Sequence, residues 1–178
     1  MTSSQAGLLA INVIGGVLVL GSYVYGIVAH PGQGDLLWGG VPLTTRPVYT
    51  FSMLLSAVGY FLFLYHAIFK MVPVEVRLPL GLPFGAFHAA FILILLPSAL
   101  WMSATFAWAQ SPTLLAWVQV RGVLAIVGLG SLFLAFLLAG LRWTAPSQFW
   151  WPSLAGALIF AFHTVVLDAL IWPALFRR

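Results

Sequence analysis

Apolar residues run almost unbroken along this chain, and polar or turn-forming stretches interrupt them at only a few places. Five of the runs reach the roughly 20 residues that a helix needs to cross a hydrocarbon core of about 30 Å. They extend over Gly7 to Ala29, Tyr49 to Phe69, Phe84 to Trp108, within Thr113 to Leu141, and Pro152 to Phe176. Membrane strands would show alternating segments of about ten residues instead of continuous runs, so helices are predicted. The expected fold class is all-α, a polytopic membrane bundle of five transmembrane helices in a single domain over 1–178.

The interruptions carry helix-ending chemistry. His30-Pro31-Gly32-Gln33-Gly34-Asp35 stops the first helix, and Arg46-Pro47 precedes the second. Lys70 closes the second helix, and Pro73, Pro79 and Pro83 keep the next connection extended. Ser111-Pro112 separates helices three and four, and Pro146 and Pro152 bracket the last loop. Tryptophans gather at the predicted ends, as in an interfacial belt. Trp143, Trp150 and Trp151 fall on the side of the N-terminus; Trp38, Trp108, Trp117 and Trp172 fall on the other, and only Trp101 is interior. An odd number of helices puts the termini on opposite sides. Met1 to Ala6 holds no Lys or Arg, so the first helix reads as a retained span rather than a cleaved signal. Loop cations are balanced: Lys70, Arg77 and Arg142 on one side, Arg46, Arg177 and Arg178 on the other, with Arg121 near the latter. They fix no orientation.

Composition agrees with the pattern. Of 178 residues, 62% are hydrophobic and 6% charged, with a mean hydropathy of +1.08; a soluble domain carries about 25% charged residues. The surrounding solvent is therefore lipid, and the bilayer is the first expected partner. Cysteine is absent, which excludes a disulfide-stapled secreted domain. The net charge of +4 comes from scattered cations, so no nucleic-acid partner is expected.

Ionisable groups inside a span cost about 2.5–3.5 kcal/mol on insertion scales, so each one asks for a reason. Asp168 lies roughly 12 Å from the end of helix five, at 1.5 Å per residue, and Arg121 at a similar depth in helix four. A buried Arg121–Asp168 ion pair fixing helix registry is one reading. The other makes Arg121 an interfacial cation, since Gly122 to Leu141 is alone long enough to span, and leaves Asp168 as a proton or cation site. His66 and His88 sit at matching depths in helices two and three. They are either a pair of axial haem ligands or two interfacial residues. His163 lies near the midplane; on an α-helix it points about 140° away from Asp168 and faces the bundle interior, as a ligand contact or an interhelical hydrogen bond.

Pro97 in helix three removes a backbone donor one turn from Trp101, which either opens a pocket or bends a helix that its neighbours absorb. The connection from His30 to Pro47 is long, rich in Gly and Pro, yet carries Leu36-Leu37-Trp38. It is a lid over the bundle mouth or a half-turn in the headgroup zone. With Asp35, Glu75 and Asp168 the only acids, and no HExxH, GxSxG or phosphate loop, no catalytic residue is assigned.

Some pieces resemble a known family. Pro47-Val48-Tyr49 with Ser56-Ala57-Val58-Gly59-Tyr60 in helix two resembles the Pro-Val-Trp and Ser-Ala-Met-Gly-Tyr pieces of the translocator protein (tryptophan-rich sensory protein) family. Trp151-Pro152-Ser153-Leu154-Ala155 is similar to its Tyr-Pro-Tyr-Leu-Ala, and the long first loop stands where that family has a ligand-covering loop. The chain lacks the family's Pro-Pro-Trp run and its helix-three motifs, and Asp168 replaces an Asn-rich end. The resemblance implies five helices and a receptor for porphyrins or sterol-like lipids, lined from helices two, three and five.

The leading expectation is a protein that binds a lipophilic small molecule, tetrapyrrole-, sterol- or quinone-like, with His163, Trp101, Pro97 and Trp38 as its site. The alternatives are a non-catalytic subunit or assembly partner of a membrane complex, a proton- or ion-coupled transporter using Arg121 and Asp168, and a b-type haem protein using His66 and His88.

Overall fold

A computed structural model describes residues 1–141 and 148–176. Arg142, Trp143, Pro146, Arg177 and Arg178 of the sequence reading lie outside the described residues. The fold is all-α, and no strand occurs among the described residues. Five helices are long and apolar enough to cross a membrane: α1 Ser3–Ala29, α2 Arg46–Lys70, α3 Gly85–Gln110, α4 Leu114–Ala139 and α5 Trp150–Leu175. Each coincides with one predicted run to within a few residues. Two of them are not α-helical throughout. α2 ends in a π turn over His66–Lys70, and α5 carries a π stretch over Phe162–Ile171.

The helix ends follow from local chemistry. Thr2 caps α1 in a reciprocal box, accepting from Gln5 N at 3.3 Å while its own N–H donates to Gln5 Oε1 at 2.7 Å. The same Gln5 side chain donates from Nε2 to Ile68 O at 2.7 Å and Met71 O at 2.9 Å, satisfying carbonyls freed at the end of α2. Thr113 caps α4 through Ala116 N. At the far end of α1, His30 Nδ1 meets Gly26 O at 3.0 Å and its ring stacks on Phe106 with centroids 4.0 Å apart.

The spans close into a ring in the order α1, α3, α4, α5, α2, with the π turn of α2 returning to α1. Small residues set the closest approaches. A Cβ built on Gly59 would lie 2.6 Å from Gly156 O, so α2 and α5 meet backbone to backbone. Large apolar side chains such as Val17, Leu20, Phe51, Leu54, Leu129 and Leu158 face outward, as lipid permits and water does not.

Two apolar cores fill the ring. One, on the N-terminal side, gathers Leu8, Phe63, Phe87, Phe91, Ile94 and Leu137. The other, on the opposite side, gathers Tyr49, Trp108, Trp117, Val120, Trp172 and Phe176. Interhelical polar contacts also tie the ring together: Tyr60 OH donates to Asn12 Oδ1, Ser131 and Thr164 hydroxyls meet at 2.6 Å, and Ser52 meets His163. Pro97 is buried within an unbroken α3, and Ser98 Oγ donates to Ile94 O at 2.7 Å.

The first connection folds over the end of α5. A 3-10 turn, Gly34–Trp38, brings Leu37 O to within 2.9 Å of Trp172 Nε1, which donates to it. Gly39 adopts a φ of +58° against the Phe176 ring, where a Cβ would lie 2.3 Å from the nearest ring atom. Arg46 locks the turn from the other side, with Nη1 2.7 Å from Asp35 Oδ1 and its guanidinium over the Trp38 ring at 5.2 Å.

Candidate functional site

The site grows from the π stretch of α5. An α-helix rotates about 100° per residue and a π-helix, with its i→i+5 bonding, about 80°, so residues five apart swing onto nearly one face. This is why His163 and Asp168, expected to diverge, stand with Nε2 and Oδ2 3.5 Å apart. His163 Nδ1 lies 3.0 Å from Ser52 Oγ on α2. A chain Ser52–His163–Asp168 thus crosses from α2 to α5.

Aromatic residues gather in the same half of the bundle: Tyr49 on α2 reaches the residue next to the acid, and Tyr23 on α1 joins the cluster through Trp101. Tyr49 OH donates to Leu167 O at 3.2 Å, which holds its ring at the base of the site. Trp101 on α3 meets Tyr23 edge-on at 6.1 Å and Trp172 at 6.2 Å. Its Nε1–H is buried and finds no acceptor among the described residues. Ser56 Oγ, one turn along α2 from Ser52, is buried in the same condition. Within this setting the His163 side chain is 9% exposed, but Asp168 keeps 32%. The carboxylate thus keeps part of its surface accessible while the imidazole beside it is closed off.

The structure distributes the sequence candidates as follows. His163 and Asp168 come together, and Trp101 lies in the same half of the bundle, against Tyr23 and Trp172. Pro97 is buried on α3, one helical turn from Trp101. Trp38 belongs to the cover: it packs on the edge of the second core, under Arg46. Arg121 does not join Asp168. It is exposed in the second turn of α4, whose inward stripe is Trp117, Val120 and Leu124, and its long stem can carry the guanidinium to the interface. Among the described residues Arg46 pairs with Asp35, and the basic side chain near Asp168 is the imidazole of His163.

His66 and His88 do not fit a haem held from both faces. His88 Nε2 donates to Ser4 O at 2.8 Å, tying α3 to the start of α1, and Phe84 stands edge-on to its ring. His66 is fully buried in the first core beside Phe63, Ala67 and Met71. No cluster of three or more His, Asp or Glu among the described residues could hold a metal ion.

Ser52, Tyr23 and Tyr49 escaped the sequence reading as site residues. Ser52 did carry a signal: Ser52, Ser56 and Gly59 recur at helical spacing on α2, marking the face that approaches α5. Compared with protein-family models, with curated proteins and with solved structures, the chain matches none.

Proposed function

We propose that this chain is a multi-pass membrane protein that binds a lipophilic small molecule within its helix bundle, in the half covered by the first loop. The body of the ligand lies among Tyr23, Tyr49, Trp101 and Trp172, and its polar group meets the Ser52–His163–Asp168 chain. One observation carries this reading: Asp168, an acid inside a span, stands 3.5 Å from His163 and remains 32% accessible. An acid kept at depth against its insertion cost is a functional group by default. The covering loop, pinned by Trp172 and Phe176, supplies a closed end. The resemblance to the translocator protein family points the same way, toward tetrapyrrole-, sterol- or quinone-like ligands.

The test is a panel of protoporphyrin, cholesterol and ubiquinone added to the protein in lipid nanodiscs, read by tryptophan quenching and thermal shift. Saturable quenching that weakens in Trp101→Leu is expected. A panel without any saturable response removes the reading.

A further inference from the structure

Among the described residues no Lys or Arg lies within ion-pair range of the Asp168 carboxylate, which stays partly accessible. Lys70 lies at the opposite end of the bundle, over the Tyr65 and Phe149 rings at 5.4 and 5.0 Å. Arg46 is bound to Asp35, Arg121 is exposed, and Arg77 sits in the connection after α2. The basic group within ion-pair range, His163, already engages Ser52 through Nδ1. A negative charge of this kind in a weakly polar interior draws a mobile cation more strongly than it would in water.

The walls favour the same occupant. The faces of Tyr and Trp rings carry the negative lobe of the π quadrupole, which attracts a ligand cation such as an alkylammonium. An anionic ligand group would meet Asp168 with repulsion, and a neutral alcohol would use only one of these features.

We propose that the ligand class of this site is the lipophilic amine, its protonated nitrogen against Asp168 and its apolar body among the rings of Tyr23, Tyr49, Trp101 and Trp172. This rests on the binding reading above and sharpens it. The ammonium donates to a free Asp168 oxygen, His163 holds the other from Nε2, and Ser52 fixes the imidazole. Nothing covalent changes.

The experiment uses the full chain in zwitterionic nanodiscs and three probes of one shape: dimethyl(2-naphthylmethyl)amine, its N-methyl quaternary salt, and 2-isobutylnaphthalene, in which carbon replaces the nitrogen. Binding is read by energy transfer from tryptophan to naphthalene. The amine and the quaternary salt are expected to bind at least tenfold more tightly than the hydrocarbon, and Asp168→Asn to erase that preference while Asp168→Glu retains most of it. Equal binding of all three probes to the native chain overturns the proposal, and so does a preference that survives Asp168→Asn. Should Asp168→Asn fail to fold, the comparison on the native chain decides alone. If the charged probes show no advantage but the neutral panel binds, the binding function stands and the amine assignment falls. If nothing binds, both fall.

Discussion

His163 Nε2 and Asp168 Oδ2 lie 3.5 Å apart, five residues along one helix. That proximity exists only because α5 is wound as a π-helix from Phe162 to Ile171. The extra residue per turn brings both side chains to the same face and aims them at α2. π turns recur at functional sites because they re-aim side chains without breaking a helix. The position of the irregular winding, at the one acid within a span, is part of the case for a site here.

Replacing Asp168 by Asn removes an ionisable group from a span, where such groups cost about 2.5–3.5 kcal/mol. Asn keeps an acceptor for His163. Asp168→Asn is expected to unfold in detergent at the native temperature or above it. His163→Leu leaves Ser52 and Asp168 without their shared partner and is expected to cost about 1–3 kcal/mol. Thermal unfolding of the two variants side by side checks the opposite signs.

The Gly59–Gly156 contact predicts an asymmetry among glycines. A Cβ on either residue meets the other's backbone at 2.6–2.8 Å, and backbone cannot move aside as a flexible side chain can. Gly59→Ala and Gly156→Ala should each cost about 1–3 kcal/mol by overpacking. At Gly16 and Gly21 a Cβ meets nothing within 4 Å, so alanine there should leave stability unchanged. The midpoint of thermal unfolding in detergent separates the two classes.

Gln5 joins a capping box to the carbonyls of Ile68 and Met71. Gln5→Leu leaves those buried acceptors unmet and should cost about 2–3 kcal/mol, whereas Thr2→Ala removes one cap bond and should cost about 1 kcal/mol. Hydrogen exchange at Met71, whose amide bonds His66 O at the adjoining turn, should accelerate more in Gln5→Leu than in Thr2→Ala.

The first loop is held unequally by its two fastenings. Trp172→Phe deletes the indole N–H that donates to Leu37 O and should expose residues 32–40 to protease. Asp35 is 85% exposed, so Asp35→Ala should change stability by less than about 1 kcal/mol, an effect that fades with salt. Cleavage rates of the two variants at low and high ionic strength test the ranking.

The five spans, their ends and their all-α class were legible because run length against bilayer thickness is a one-dimensional quantity. Pro31, Pro47 and Thr113 needed no tertiary context to mark where helices stop or start. The inventory of unusual polar groups was equally legible: Asp168, His163 and Trp101 stand out of an apolar background, and the first two lie 3.5 Å apart. Rotation about each helix axis was not legible. In water an amphipathic stripe shows which face turns inward, but lipid tails are as apolar as Leu, so core and outer faces carry the same residue types. Depth along the axis therefore suggested Arg121 as the partner of Asp168, and rotation sent Arg121 outward. The α-helical period likewise separated His163 from Asp168, and the π winding over Phe162–Ile171 unites them. The sequence by itself determined where the five helices long and apolar enough to cross a membrane begin and end. Only the assembled ring decided which polar groups face one another, because that choice rests on contacts between helices distant in the chain.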